Sequence, residues 1–169
     1  LWGLVHACLG RQNWMWLVVG LAAGLGFESK YTMLLPLGGL VVWLLATKAG
    51  RVWRCTPWPF VGACVAAVCV VPVVWWNAQH GWVSFFKQGG RLGDWNPTRA
   101  LGFMGELLGG QVGLASPLVF LFFAGGVWLL WRRRDSFSVL LLCMIMLPVA
   151  VFVQHALGAR VQANWPVML

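Results

Sequence analysis

The feature that most constrains this chain is a series of long apolar stretches that contain almost no charge. No residue between Arg54 and Lys87 carries a formal charge, and the same is true from Leu107 to Trp131. A helix needs about 20 apolar residues to cross a bilayer, since each residue advances it by about 1.5 Å through a core of about 30 Å. These stretches therefore predict helices that lie in a membrane.

The composition supports this prediction and argues against an ordinary soluble domain. Hydrophobic residues make up 60% of the chain and charged residues only 9%, with a mean hydropathy of +0.78. Soluble domains carry about 25% charged residues. The net charge of +8 does not indicate nucleic acid, because the cations lie in short clusters between apolar runs. The lipid bilayer is the predicted partner.

Five apolar stretches predict an all-α fold, a polytopic transmembrane helical bundle. The first two stretches are short for independent spans. The chain begins without methionine at Leu1, and we interpret residues 1–169 as a single transmembrane region, an internal or C-terminal-half piece of a larger membrane domain. The predicted spans lie near residues 12–27, 31–47, 58–76, 107–131 and 137–153, with an external loop at residues 77–106.

Clusters of cations predict the orientation of these spans. Two short basic loops, residues 48–54 and 132–134, are expected on the cytoplasmic side, and Arg11 fits the same side. Alternation then places residues 28–31, the loop 77–106 and the segment from Gln154 onward on the external side. Lys87, Arg91 and Arg99 lie within that external loop, although Lys and Arg are normally enriched in cytoplasmic loops.

The segment "GFESKYTMLLP", residues 26–36, places Glu28 and Lys30 between two apolar stretches. Side chains two residues apart point in different directions on a helix, so each charge needs its own partner or the helix must break there. Two interpretations remain open. Lys30 snorkels to the headgroups while Glu28 caps a loop, or Lys30 faces an external cavity and holds an anion.

A second polar segment, "WWNAQHGWVSFFKQGGRL", follows at residues 75–92. Asn77 and His80 mark the point where a helix leaves the hydrocarbon, and His80 by itself indicates an interfacial hydrogen bonder. The segment is either an ordinary amphipathic re-entry segment or one whose Lys87 and Arg91 reach a phosphate.

The third polar segment is "HALGARVQANWP", residues 155–166. Arg160, Gln162 and Asn164 share a face only if the backbone there is extended. Composition alone makes this segment a polar loop before another span.

Motifs for cofactors and metals are missing. The sequence contains no phosphate-binding glycine loop and no HExxH, and the five cysteines have no CxxC spacing. We therefore predict no cofactor and no metal, with the cysteines as small core residues. Asp94 and Glu106 are the carboxylates of the external loop, and a general base there would need a sheltered position.

Four segments in order, "GFESKYTMLLP", "VVPVVWWNAQHGWVSF", "GGQVGLASPLVF" and "GARVQANWP", resemble the later membrane region of glycosyltransferase family 39. These are protein mannosyltransferase-like membrane enzymes of the GT-C type. The resemblance covers the chain from about Trp14 to Pro166.

The resemblance implies transfer of a sugar from a polyprenyl-phosphate carrier, the donor substrate, to a hydroxyl of a protein, lipid or glycan. It implies a hexosyl- or pentosyltransferase in the bacterial inner membrane, with its active site on the extracytoplasmic face. The family's catalytic acidic residue lies upstream, in an N-terminal part of the chain that this sequence lacks.

By position in the matching motifs, the resemblance gives Lys30 and Arg160 as contacts to the donor phosphate. The secondary contacts that we predict are Gln162, Asn164, Asn77, His80, Lys87 and Arg91. The alternative function is a non-enzymatic transporter or flippase component, because transporters also place charged residues within their spans.

Overall fold

The computed structural model describes residues 1–89 and 97–161, and within them it confirms an all-α fold without strands. A 3₁₀ turn at Tyr31–Met33 follows the second helix. The helices of the described residues are Trp2–Cys8 (α1), Met15–Ser29 (α2), Leu34–Ala46 (α3), Lys48–Arg54 (α4), Trp58–Gln79 (α5), Val83–Gly89 (α6), Pro97–Ala115 (α7), Pro117–Arg133 (α8) and Ser136–Ala156 (α9).

Local sequence signals explain where several helices begin. Asp135 caps α9, because its carboxylate accepts hydrogen bonds from the backbone N–H groups of Phe137 and Ser138. Thr47 caps α4 by accepting a bond from the N–H of Gly50 at 2.9 Å. Pro117 opens α8, at the first helical position, where its missing N–H costs nothing.

Helices α2 and α5 pack side by side and run in the same direction. Gly20 lies against the backbone of Gly62, and Gly24, one turn later, lies against Ala66 and Cys69. A side chain at either α2 glycine would meet atoms of α5, so glycine permits this close approach.

Helices α3 and α9 form a second pair, and they run in opposite directions. Gly39 lies against the backbone of Cys143 and Met144. Four residues later, the indole Nε1 of Trp43 donates to the carbonyl of Ser136 at 3.1 Å. The end of α3 thus meets the start of α9.

These directions give the bundle two chemically different ends. We call one the basic end; it carries Arg11, Lys48, Arg51, Arg54, Arg132, Arg133 and Arg134. We call the other the motif end, where α2, α5 and α9 finish and α3 begins. A buried cluster at the basic end joins both helix pairs and consists of Leu4, Ala7, Met15, Trp16, Leu40, Trp43 and Leu140.

The described residues contain two to four candidate membrane spans by length and composition, compared with the five predicted. By length and composition, α5 and α9 qualify alone, at 22 and 21 residues, and the described chain has up to four spans if each of two bent pairs counts as one. Helix α2 has only 15 residues, and α4 turns away from α3 by 95°. The apolar exposure and these long helices make the chain an integral membrane protein.

The structure differs from the prediction around residues 77–131. The predicted span 107–131 is divided into α7 and α8, which meet at 106°. Ser116 lies at the break with φ 64° and ψ 149°. The ring of Pro117 disfavours helical backbone in the residue before it, which accounts for the extended ψ of Ser116. The predicted external loop 77–106 contains the end of α5, all of α6 and the first half of α7.

Candidate functional site at the motif end

Lys30 lies at a true break between two helices. It follows the last residue of α2 with an extended backbone, φ −157° and ψ 119°, and its N–H still donates to the carbonyl of Gly26 at 2.9 Å. The 3₁₀ turn then leads into α3. Lys30 is half-buried and Glu28, in the last turn of α2, is exposed. The two charges therefore have different surroundings, as their spacing predicted.

Aromatic contacts join the Lys30 segment to the second polar segment. The ring of Tyr31 packs at 5.1 Å from Phe27 and at 5.4 Å from Phe85 of α6. Trp82 extends this cluster, with its ring 5.7 Å from Phe85. Tyr31 and Phe85, which are 54 residues apart in the sequence, thus bring the two segments together at the motif end.

Asn77 organises the turn between α5 and α6. Its side chain is fully buried, and its amide donates to the carbonyl of Val73 at 2.9 Å. Its side-chain oxygen accepts from the N–H of Ser84 at 3.2 Å, and its backbone carbonyl accepts from Trp82. These hydrogen bonds hold the turn between α5 and α6 in place.

The other predicted residues of this segment are placed differently. His80 is exposed; its Nδ1 lies 2.7 Å from the carbonyl of Trp76 and its ring stacks on that indole at 4.1 Å. Lys87 is exposed on α6, two residues after Phe85. Arg91 lies outside the described residues.

The third polar segment reaches the same end of the bundle. Val161 is buried against Phe152 and Ala156 of α9 and Leu107 of α7, and Leu35 of α3 packs on this cluster. Leu35 lies five residues after Lys30, so the cluster links the Lys30 and Arg160 segments. Gln162 and Asn164 lie outside the described residues.

Arg160 makes an ion pair that the sequence did not reveal. Its Nε lies 2.6 Å from Oε2 of Glu106 on α7, and the two side chains are 74% and 48% exposed. A carboxylate within the apolar part of α7 was the available signal, but its partner is 54 residues away in the sequence. Because the guanidinium has five donors in a planar fork and is largely exposed, it can bind a second anion besides Glu106.

The motif end carries several charges next to its two clusters. Lys30 and Lys87 lie in the segments that form the aromatic cluster, and Arg160 precedes Val161 of the apolar cluster. Glu28 and Glu106 lie at the same end. Within residues 1–89 and 97–161, no group of three or more His, Cys, Asp or Glu side chains could hold a metal ion.

Comparison with known proteins supports the resemblance seen in the motifs. Residues 1–76 match the family model described as dolichyl-phosphate-mannose-protein mannosyltransferase. Lys30 lies inside this range and Arg160 lies outside it. The match and the relative that follows agree with the resemblance to membrane glycosyltransferases of the GT-C type.

That relative is the lipid A galacturonosyltransferase RgtD of Rhizobium johnstonii. It is 29% identical in an alignment that covers 89% of this chain and 32% of the relative. The chain thus spans about a third of the relative's length. No solved structure matches the chain.

Proposed function

We propose that this chain forms the donor-phosphate-binding part of an enzyme that transfers a sugar from a polyprenyl-phosphate carrier. The observation that carries the proposal is the placement of Lys30. It is half-buried at a helix break beside an aromatic cluster, inside the range that matches the family model. A helix break at a membrane surface allows a cation to meet a lipid phosphate while the carrier's chain remains in the bilayer.

The chemistry explains why cations are needed there. Direct displacement at the anomeric carbon transfers the sugar to an acceptor hydroxyl and releases the lipid phosphate, on which negative charge grows in the transition state. Cations that are already in position stabilise that charge without further reorganisation. Lys30 and Arg160 take this role, with Glu106 orienting the guanidinium of Arg160 through their ion pair.

The remaining predicted residues take lesser parts in this proposal. Lys87 is a secondary phosphate contact because it lies on α6, next to the aromatic cluster. Gln162, Asn164 and Arg91 stay predictions for phosphate contact. Asn77 and His80 shape the turn that carries α6.

The name of the relative informs the proposed acceptor and donor, and the charge distribution informs the proposed orientation. A protein that is named for lipid A favours a glycolipid hydroxyl over a protein hydroxyl, and a hexosyl over a pentosyl donor. The cations of the basic end favour the cytoplasmic side for that end, and we therefore propose that the motif end faces the extracytoplasmic side, in a bacterial inner membrane.

Lys30→Ala in the full-length protein tests the proposal. We expect sugar transfer from a radiolabelled polyprenyl-phosphate donor to fall by about ten- to a hundredfold, the loss expected for one charge-assisted contact of about 1.5–3 kcal/mol. Lys30→Arg should retain more activity than Lys30→Ala because it keeps the charge.

Lys48→Ala is the matched control, since it removes a lysine from the basic end. Both variants should insert in the membrane as the unchanged protein does. If Lys30→Ala transfers sugar at the wild-type rate, Lys30 does not contact the donor phosphate. Movement of the lipid carrier without any sugar transfer by the unchanged protein would instead favour the transporter or flippase.

A further inference from the structure

The basic end contains an open groove of about 580 Å³, at the opposite end of the bundle from the proposed donor site. Its volume lies within the range of about 300–1,000 Å³ that is typical of small-ligand sites. Arg11, Asn13 and Thr56 line it with polar groups, while Trp43, Trp53 and Cys8 give it an apolar wall. The groove therefore combines both surfaces that an amphiphile requires.

The apolar wall is firmly packed. Trp43 is only 1% exposed, and its Nε1 is already bonded to the carbonyl of Ser136. The ring of Trp53 packs against Trp16 at 5.7 Å. At the rim, Leu9 and Val52 are 60% and 66% exposed, so an apolar surface continues from the groove towards the surroundings of the bundle.

The charge around the groove is strongly positive. Arg11 lines the groove, and α4, whose Ala49, Val52 and Trp53 line another side, also carries Lys48, Arg51 and Arg54. Among the described residues of the basic end, Asp135 is the one carboxylate, and it is engaged in capping α9. Cys8 contributes no negative charge at neutral pH, because burial raises its pKa to about 11.

We propose that this groove binds an anionic phospholipid, with the headgroup phosphate on Arg11 and Asn13 and the start of the acyl chains along Trp53, Val52 and Leu9. Charge complementarity selects an anionic headgroup, and the continuous apolar rim selects a lipid over a free phosphate. Basic pockets at the cytoplasmic ends of membrane helices bind anionic headgroups in this way. The proposal stands independently of the sugar-transfer function.

Titration of the full-length protein in detergent with short-chain phosphatidylglycerol tests the proposal, with short-chain phosphatidylcholine and inorganic phosphate as reference ligands. We expect phosphatidylglycerol to bind at least about tenfold more tightly than either reference, since one charge-assisted contact is worth about that factor or more. Arg11→Gln should remove the preference, and Arg11→Lys should retain most of it.

Arg133→Gln is the matched control, because it removes an exposed arginine from the same end outside the groove. It should change the affinity for phosphatidylglycerol by less than about fivefold, the effect of one surface charge near anionic lipid. If Arg11→Gln does not fold, Arg11→Gly serves instead, because Arg11 has φ 51°, a conformation that glycine adopts without cost.

If Arg11→Gln and Arg133→Gln lose the same affinity for phosphatidylglycerol, the lipid is attracted only by the general positive charge of the basic end, and the proposed site is wrong. If inorganic phosphate binds as tightly as phosphatidylglycerol, the groove binds a simple anion and not a lipid. If phosphatidylcholine and phosphatidylglycerol bind equally well, the groove does not select an anionic headgroup and the proposal is wrong.

Discussion

In the pair formed by α2 and α5, Gly20 and Gly24 lie against the neighbouring helix, whereas Gly105 and Gly109 of α7 and Gly125 of α8 face open space. The first pair buries its glycines at a helix contact. Helix α8, by contrast, has no buried residue along its 17 residues. The two regions share glycines at the same spacing and differ in how those glycines pack.

The difference teaches that a small-residue motif does not by itself identify a helix contact. Gly20 and Gly24 are four residues apart, and so are Gly105 and Gly109. This spacing is typical of membrane helices that approach closely. Only the first motif meets a helix among the described residues, whereas the second lies in open space there.

The largest effect that sharpens this comparison is expected for Gly20→Ala. The new Cβ would overlap the backbone of Gly62, which cannot move aside without separating α2 from α5. We expect a loss of about 2–3 kcal/mol or more in the free energy of unfolding, measured by denaturation in detergent.

Gly109→Ala is its control, since it makes the same chemical change in open space. It should leave stability unchanged or raise it by up to about 1 kcal/mol, because alanine favours a helix more than glycine does. Equal effects of the two substitutions would contradict the contrast between the two regions.

A smaller loss of stability is expected for Asn77→Ala. This substitution allows buried Asn77 to be compared with exposed His80 in the same turn. The substitution leaves the N–H of Ser84 without its partner and empties a fully buried position. We expect a loss of about 1–3 kcal/mol, together with greater proteolysis near α6. His80→Ala, which removes an exposed ring, should cost less than about 1 kcal/mol.

The smallest effect is expected for Asp135→Ala, at the junction between exposed α8 and packed α9. Hydrogen bonds from the Ser138 hydroxyl and from backbone N–H groups lower the pKa of this carboxyl below 3.8. A lowered pKa means that its stabilisation is complete above the ordinary pKa and is lost as the pH falls through the folded value.

The melting temperature should therefore fall slightly in Asp135→Ala at neutral pH, and the difference from the unchanged protein should vanish in strong acid. A difference that stays constant down to acidic pH would show that the cap does not depend on the carboxylate's charge. Thermal unfolding across this pH range measures both outcomes.

The sequence predicted the helical class and the helix break at Lys30, because both depend on local patterns of charge and apolar residues. It failed to predict the division at Ser116, where the apolar run from Leu107 to Trp131 concealed the effect of Pro117. The ion pair of Arg160 with Glu106 was beyond it as well, since neither residue indicates the direction in which α7 turns.

The sequence by itself determined that this protein lies in a membrane and which of its segments are apolar and which are charged. Apolar length and charge clustering act within about 20 residues, so they can be read along the chain. The tertiary structure decided which segments meet: α2 with α5, α3 with α9, and Tyr31 with Phe85. Helix contacts depend on side chains that are far apart in the sequence, and the same glycine spacing serves both a packed and an open face.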